Sequence, residues 1–557
     1  MGLVLCALLL LGPQVPARSR AGADALLEAV KELAAREQWQ AILDLVPDSP
    51  DNPPELDFRR GMALAALQRW HEARAALERG RAKAPQDKRF PIELAGIAFK
   101  SGMNSEARRL LRRALKLDAL DSYANDFLAS LFFLEGNQEA AIKYWNRAGK
   151  PMLEEIRILP RPRVNPVLLD RCFTFAPASL LRLGDYRATH ARLAALEIFA
   201  QQRSELVARQ DGRFDFFLRP VERGGLGAGT VRGLISLLRG LPFESVLPEA
   251  YNLRGTAYNV RSLVRWDDRR RRAYASVSGP IAGNPAWRMR FEIDGMDEQW
   301  EISRALRQPR DAPAAFRMKT LRAALGVGSS IGGRWKWLTA VEADSRHYEG
   351  QPAAAPALFA EGPGVGQTLR LENRTIMLPE RRFALTTFGT ARWGRILAAG
   401  GSRYASAGGG LEFNWFPQSR GSAVEIAGRF SAARSSGGLP FDRLYSLGRE
   451  RDNDLALRGH GGTRDGRKGA GPLGPDYVLL NLEVNREIYR RSRWKLVLAP
   501  FLDVGRTFDA RGLLGSRVWQ WDTGMQLKAL LFERVGLVLC YGKSLRTGEN
   551  TFFGTTY

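Results

Sequence analysis

The strongest constraint on this 557-residue chain is a two-residue alternation near its end. In Trp519–Leu531 the odd positions carry Trp519, Trp521, Thr523, Met525, Leu527, Ala529 and Leu531. The even ones carry Gln520, Asp522, Gly524, Gln526 and Lys528. Tyr477–Glu487 behaves alike, with Val478, Leu480, Leu482 and Val484 on one phase and Asn481, Glu483 and Asn485 on the other. Successive side chains of a strand point to opposite faces, so each segment is a strand with one apolar and one polar face. Strand-like segments of about ten residues recur through roughly 340 residues, parted by polar, Gly-rich loops. Lipid demands an outward apolar belt edged by Trp and Tyr, and closing the sheet removes its unpaired edges. The pattern predicts a transmembrane antiparallel β-barrel of about sixteen strands over residues 212–557. Phe553 and Tyr557 alternate up to an aromatic terminus, as a C-terminal barrel signal does.

Export is expected as well. The chain starts Met1-Gly-Leu-Val-Leu-Cys-Ala-Leu-Leu-Leu-Leu, an apolar run too short for a spanning helix, followed by Pro13 and small residues to Ala23. Residues 1–23 are expected to be a signal peptide. Cys6 lacks the small residue before it that a lipid anchor wants.

Residues 24–205 carry Ala, Leu, Glu and Arg at helical spacing, and they repeat. Ala73, Ala107 and Ala141 stand 34 residues apart, and Gly61, Ala95 and Ala129 precede them by twelve. Gly102 and Gly136 mark one turn, where Gln68 stands in the first repeat. This helix–turn–helix unit resembles the tetratricopeptide repeat. Residues 25–46 and 168–205 are read as degenerate flanking helix pairs. The resemblance implies an α-solenoid whose concave face docks a polypeptide client or an accessory periplasmic protein.

A long polar segment, Leu439 to His460, lies between two strands and ends Leu457-Arg458-Gly459-His460. The next strand carries Asn481-Leu-Glu483 and the one after it Phe501-Leu-Asp503-Val-Gly505. Glu483 and Asp503 fall on the polar phase, where a guanidinium makes paired, charge-assisted bonds. Here the chain resembles the BamA/TamA/TpsB-type superfamily of outer-membrane assembly and secretion barrels. The resemblance implies that this loop folds inward and that Arg458 meets Glu483 and Asp503 in the lumen as one lock. Five strands are read after it (477–487, 494–506, 519–531, 535–543 and 551–557), the number this superfamily has there. Two departures stand out. His460 replaces the usual aromatic, and repeats are expected in place of the superfamily's mixed α/β periplasmic modules.

The resemblance implies an outer-membrane protein of a Gram-negative-type bacterium, with its N-terminal domain in the periplasm. It would insert or translocate polypeptide clients. A surface lipoprotein assembly modulator, favoured by a count near fourteen strands, and a polysaccharide-export porin are the alternatives. The net charge of +24 is chiefly arginine. Phosphates of outer-membrane lipid and lipopolysaccharide are the expected partners, and nucleic acid is not. Four histidines and three cysteines without ligand spacing give no expected metal. No nucleophile elbow or phosphate loop is present, so neither a cofactor nor an enzymatic activity is expected.

Overall fold

The computed structural model describes residues 17–226, 240–241, 244–306, 314–352, 358–398, 401–418, 423–450, 452–491, 494–531 and 535–556. The first sixteen residues of the expected signal peptide, and Tyr557, lie outside the described residues. The chain divides into two compact units, residues 1–134 with 143–150, and residues 135–142 with 151–557.

The first unit is helical: α1 (Ala17–Ala35), α2 (Trp39–Leu45), α3 (Pro54–Ala66), α4 (Trp70–Lys83), α5 (Arg89–Lys100), α6 (Asn104–Leu117) and α7 (Ser122–Leu134). Another helix, α8 (Gln138–Trp145), follows. Ala73, Ala95, Ala107, Ala129 and Ala141 are wholly buried. A Cβ on Gly61 would come within 2.5 Å of the Leu77 side chain, and one on Gly80 would enter the Phe90 ring. The small residues of the repeat are therefore where helices cross too closely for a larger side chain. Gln68, Gly102 and Gly136 all take a left-handed backbone, at φ of 61°, 76° and 70°. Glycine does so freely, whereas Gln68 strains.

Helices do not continue to residue 205, so the expected helix pair at 168–205 is corrected. Residues 153–222 form a mixed α/β module: β1 (Leu153–Ile158), α9 (Pro166–Asp170), α10 (Leu183–Ala195), β2 (Phe199–Ala208) and β3 (Phe214–Glu222). Its sheet has the order β1-β3-β2, with β1 parallel and β2 antiparallel to β3. Leu153, Cys172, Leu193, Phe216 and Leu218 fill its core, and Phe175 meets Phe216 edge-on at 5.1 Å. The Asp211-Gly212 turn, with Gly212 at φ 77°, closes the β2–β3 hairpin. A mixed α/β module thus follows the repeats in the chain rather than being replaced by them.

From Ser245 on, later than the expected residue 212, the described residues form mainly an antiparallel sheet whose strand order closes into a barrel. Among the described residues it has fourteen long strands: β4 (Asn259–Asp267), β5 (Arg270–Ile281), β6 (Asn284–Glu301), β7 (Ala315–Ile331), β8 (Trp335–Glu349), β9 (Gly362–Leu378), β10 (Phe383–Ile396), β11 (Arg403–Trp415), β12 (Val424–Gly437), β13 (Asp476–Arg491), β14 (Trp494–Phe508), β15 (Gln520–Leu531), β16 (Val535–Ser544) and β17 (Asn550–Thr556). Short segments Ser245–Val246 and Glu249–Ala250 pair with β4. Five strands follow the long loop, within a few residues of the sequence reading.

Side chains alternate through the wall. Trp266, Trp287, Phe291, Ile293, Leu325, Trp335, Val341, Trp393, Leu411, Phe430, Trp521 and Met525 are exposed on the outside. Trp287, Trp335, Trp415 and Trp494 stand near the end of the barrel with short turns. Trp266, Trp393 and Trp521 stand near the end with long loops. Two aromatic girdles flanking an apolar band are what a barrel in lipid requires. No helix among the described residues is long and apolar enough to cross a membrane.

Candidate functional site

The connection between β12 and β13 does not project from the barrel; it folds into the lumen. Its base is held by apolar packing. Phe441 stacks on Phe359 at 5.4 Å and meets Phe316 edge-on at 4.9 Å, with Tyr348, Leu473 and Leu514 in the same cluster. Leu457 packs with Leu447, Tyr477 and Leu479. This cluster explains Gly505: a Cβ there would lie 3.0 Å from Leu479 and 3.2 Å from Leu457.

At the tip, Leu457–Gly461 is a short inner strand. The Arg458 guanidinium donates to Asp503 on β14, with Nη2 2.7 Å from Oδ1 and Nε 2.9 Å from Oδ2. Its Nη1 donates to Glu483 on β13, and its carbon lies 3.8 Å from the Phe501 ring centre. The Arg458 amide donates to Asp503 Oδ2 at 2.9 Å, so backbone and side chain both engage one carboxylate. Asp503 is fully buried and also accepts from Asn481 at 2.8 Å; Glu483 also meets Lys528. The sequence pattern placed Arg458, Glu483 and Asp503 on separate segments, and the fold brings all three together. Such charges are tolerable away from water only because each has a partner.

Gly459 and His460 hold a second carboxylate that sequence reasoning missed. The Gly459 amide donates to Asp522 Oδ2 at 2.6 Å, and His460 Nδ1 lies 2.9 Å from the same oxygen. A Cβ on Gly459 would collide with Asp522 and with the backbone at Lys543, so only glycine fits. His460 supplies an acid-pairing ring where an ordinary aromatic would leave the buried Asp522 with the amide alone. The signal for Asp522 was present: it lies on the polar phase of β15, as Glu483 and Asp503 do on theirs.

Two further anchors reach other walls. Arg443 at the loop base binds Asp344, and Glu342 at 3.2 Å, both on β8. Arg346 joins Asp344 at 2.7 Å and Asp442 at 2.9 Å. Lys468 binds Glu298 on β6 at 2.9 Å, with Glu450 and Asp452 of the loop at 3.4 and 3.6 Å. Asp452 in turn meets Arg272 of β5 at 3.2 Å. The loop is thus a crossbar tied to β5–β6, to β8 and to β13–β15. Beside it remains a cavity of about 710 Å³, bordered by Arg265, Arg270, Arg449, Glu450, Asp452 and Phe553. Phe553 faces this lumen under the Arg449 guanidinium, 4.7 Å from its ring centre, while Phe552 is the exposed neighbour.

Where the α/β module meets the short-turn end of the barrel, one carboxylate gathers three barrel arginines. Glu197 accepts from Arg288 at 2.8 Å, Arg261 at 3.1 Å and Arg290 at 3.3 Å. Asn259 donates to the Leu196 carbonyl at 2.9 Å. Within the module, burial pushes the Cys172 thiol and the Tyr186 hydroxyl up to about 12 and holds His190 below the ordinary imidazole range. Cys172 is thus an inert packing residue. No cluster of His, Cys, Asp and Glu among the described residues has the form of a metal site.

A tetratricopeptide repeat family model matches residues 64–131. No curated protein matches the chain. Among solved structures, BamA from Haemophilus ducreyi lacking POTRA domains 1–3 is 13% identical, covers 74% of this chain and 85% of its own, and has a TM-score of 0.41. CdiB from Escherichia coli is 13% identical, covers 73% and 77%, and scores 0.47. CdiB from Acinetobacter baumannii is 11% identical, covers 83% and 87%, and scores 0.44.

Proposed function

We propose that this chain is an outer-membrane barrel that inserts polypeptide clients into the membrane or passes them across it, without covalent chemistry. The observation that carries the reading is the inward loop, locked by Arg458 to Glu483 and Asp503 inside a barrel with an outward apolar band. A passive pore needs no buried ionic crossbar, whereas a conduit that must stay shut until a client arrives does. The helical repeats act in the periplasm, where they dock the client or an accessory protein, and the α/β module hands it to the short-turn end of the barrel.

The second reading, a surface lipoprotein assembly modulator, draws on the fourteen long strands among the described residues, to which the short Ser245–Val246 and Glu249–Ala250 segments add in closing the wall. The lock favours the first. One experiment separates them: quantitative proteomes of outer membrane, cell surface and medium, with and without this protein and with an Arg458→Ala copy restored. Selective loss of secreted or integral outer-membrane proteins supports the first reading; loss confined to surface lipoproteins supports the second. A changed surface glycan with unchanged proteomes refutes both.

A further inference from the structure

On the outer face of the barrel the basic residues near the long-loop end fall into two kinds. Along β5 to β8 each has a carboxylate. Arg271 pairs across strands with Asp297, Arg317 binds Asp297 at 2.6 Å, and Lys319 binds Glu349. On β10 and β11 this compensation is missing. Arg395 and Arg403 are direct cross-strand partners, both exposed. They share the outward phase with Trp393, which stands two residues below Arg395 and opposite Ala405.

Directly opposed residues of neighbouring strands lie with their Cβ atoms about 5 Å apart, and like charges so placed repel. The outward phases of β9, β10 and β11 carry no acidic side chain to relieve them: Pro363, Val365, Gln367, Leu369, Leu371 and Asn373 face outward on β9, and the other two strands add apolar or small residues. Nor does either guanidinium take part in an ion pair or hydrogen bond among the described residues. A tryptophan belt with two unneutralised guanidiniums just beyond it sits where phosphate headgroups begin. Two guanidinium forks on one spot are matched to a phosphate, each binding it bidentately.

We propose that Arg395 and Arg403 form a phosphate-binding site for an outer-leaflet glycolipid, with Trp393 against its acyl region. Ala391, Ala405 and Ala407 keep the wall beneath the pair shallow, so that acyl chains lie close to the barrel. The inference rests on the outer-membrane reading, which fixes the long-loop end as the outer side. A bound phosphate turns a repulsive pair into a clamp and holds β10 and β11 at a fixed depth.

The test uses the full chain in mixed micelles with bis-phosphorylated lipid A, dephosphorylated lipid A or inorganic phosphate, and binding is read by native mass spectrometry and calorimetry. Phosphorylated lipid A is expected to bind at least tenfold more tightly than the dephosphorylated form, and tenfold more tightly than to an Arg395→Gln/Arg403→Gln variant. Arg317→Gln, whose arginine already has a carboxylate, is expected to change nothing. Equal binding by the double variant overturns the proposal, provided that variant keeps the heat-modifiable gel migration of a folded barrel. Full displacement by equimolar inorganic phosphate overturns the lipid assignment in favour of a free-anion site. A chain that neither shifts on heating nor fractionates with outer membranes refutes the outer-membrane reading itself, through a different measurement.

Discussion

Replacing Arg458 by alanine isolates what the loop tip contributes. The substitution removes the fork that engages Asp503 and Glu483 and the ring contact with Phe501. Breaking a buried ion pair by deleting one partner costs about 3–5 kcal/mol. Here the lower end applies, because neither carboxylate is abandoned. Asp503 keeps the Arg458 amide and Asn481, and Glu483 keeps Lys528. About 3 kcal/mol corresponds to more than a hundredfold in a local opening equilibrium. The loss is expected to be local, since Arg443 and Lys468 still tie the loop to β8 and β6. Hydrogen exchange of the protein in lipid vesicles reads this directly. Amides of residues 457–461 should exchange at least a hundredfold faster in Arg458→Ala, while those of 441–446 and 467–474 stay protected. Arg458→Lys should recover part of the protection but not the fork. Unchanged exchange at the tip refutes the reasoning, and so does loosening of the whole loop.

His460→Phe should lower stability by about 1–3 kcal/mol in urea titrations from vesicles, because buried Asp522 loses a partner. Adding Asp522→Asn should recover part of that loss; a purely additive pair would show that His460 and Asp522 do not act together. In the repeats, Gln68→Gly should raise the melting temperature, relieving a left-handed backbone that costs about 1 kcal/mol, and Gly102→Ala should lower it by a similar amount. Acidification should destabilise the α/β module through His190. Its folded pKa is depressed by burial, so below the ordinary value of about 6.5 the unfolded chain takes up the proton first and stability falls with pH. Thermal melts at pH 7.5 and 5.5 should therefore show a smaller pH effect for His190→Gln than for the parent.

The two architectures of the chain were legible because both rest on short-range periodicity. The 34-residue spacing of Ala73, Ala107 and Ala141 and the two-residue alternation in β13 and β15 follow from helix and strand geometry alone. Phase decided more: once Glu483 and Asp503 were assigned to the polar face, their neighbourhood with an inward loop followed from the resemblance. The module at 153–222 is hard to read from the sequence because α10 lies between strands and looks like one more repeat helix, while a single Asp211-Gly212 turn is all that marks the β2–β3 hairpin.

Long-range pairing is another matter. That Asp522 meets His460, that Arg443 reaches Glu342 a hundred residues away, and that Phe553 turns inward to Arg449 depend on how the loop threads a lumen closed by strands far apart in sequence. The same holds for Arg395 and Arg403, which become opposed only through the register of β10 on β11. Local pattern determines which face of an element is polar, because each side chain's direction is set by the two or three residues around it. Which polar groups then meet is set by strand register and barrel closure, and these are properties of the whole sheet that no segment of the sequence carries by itself.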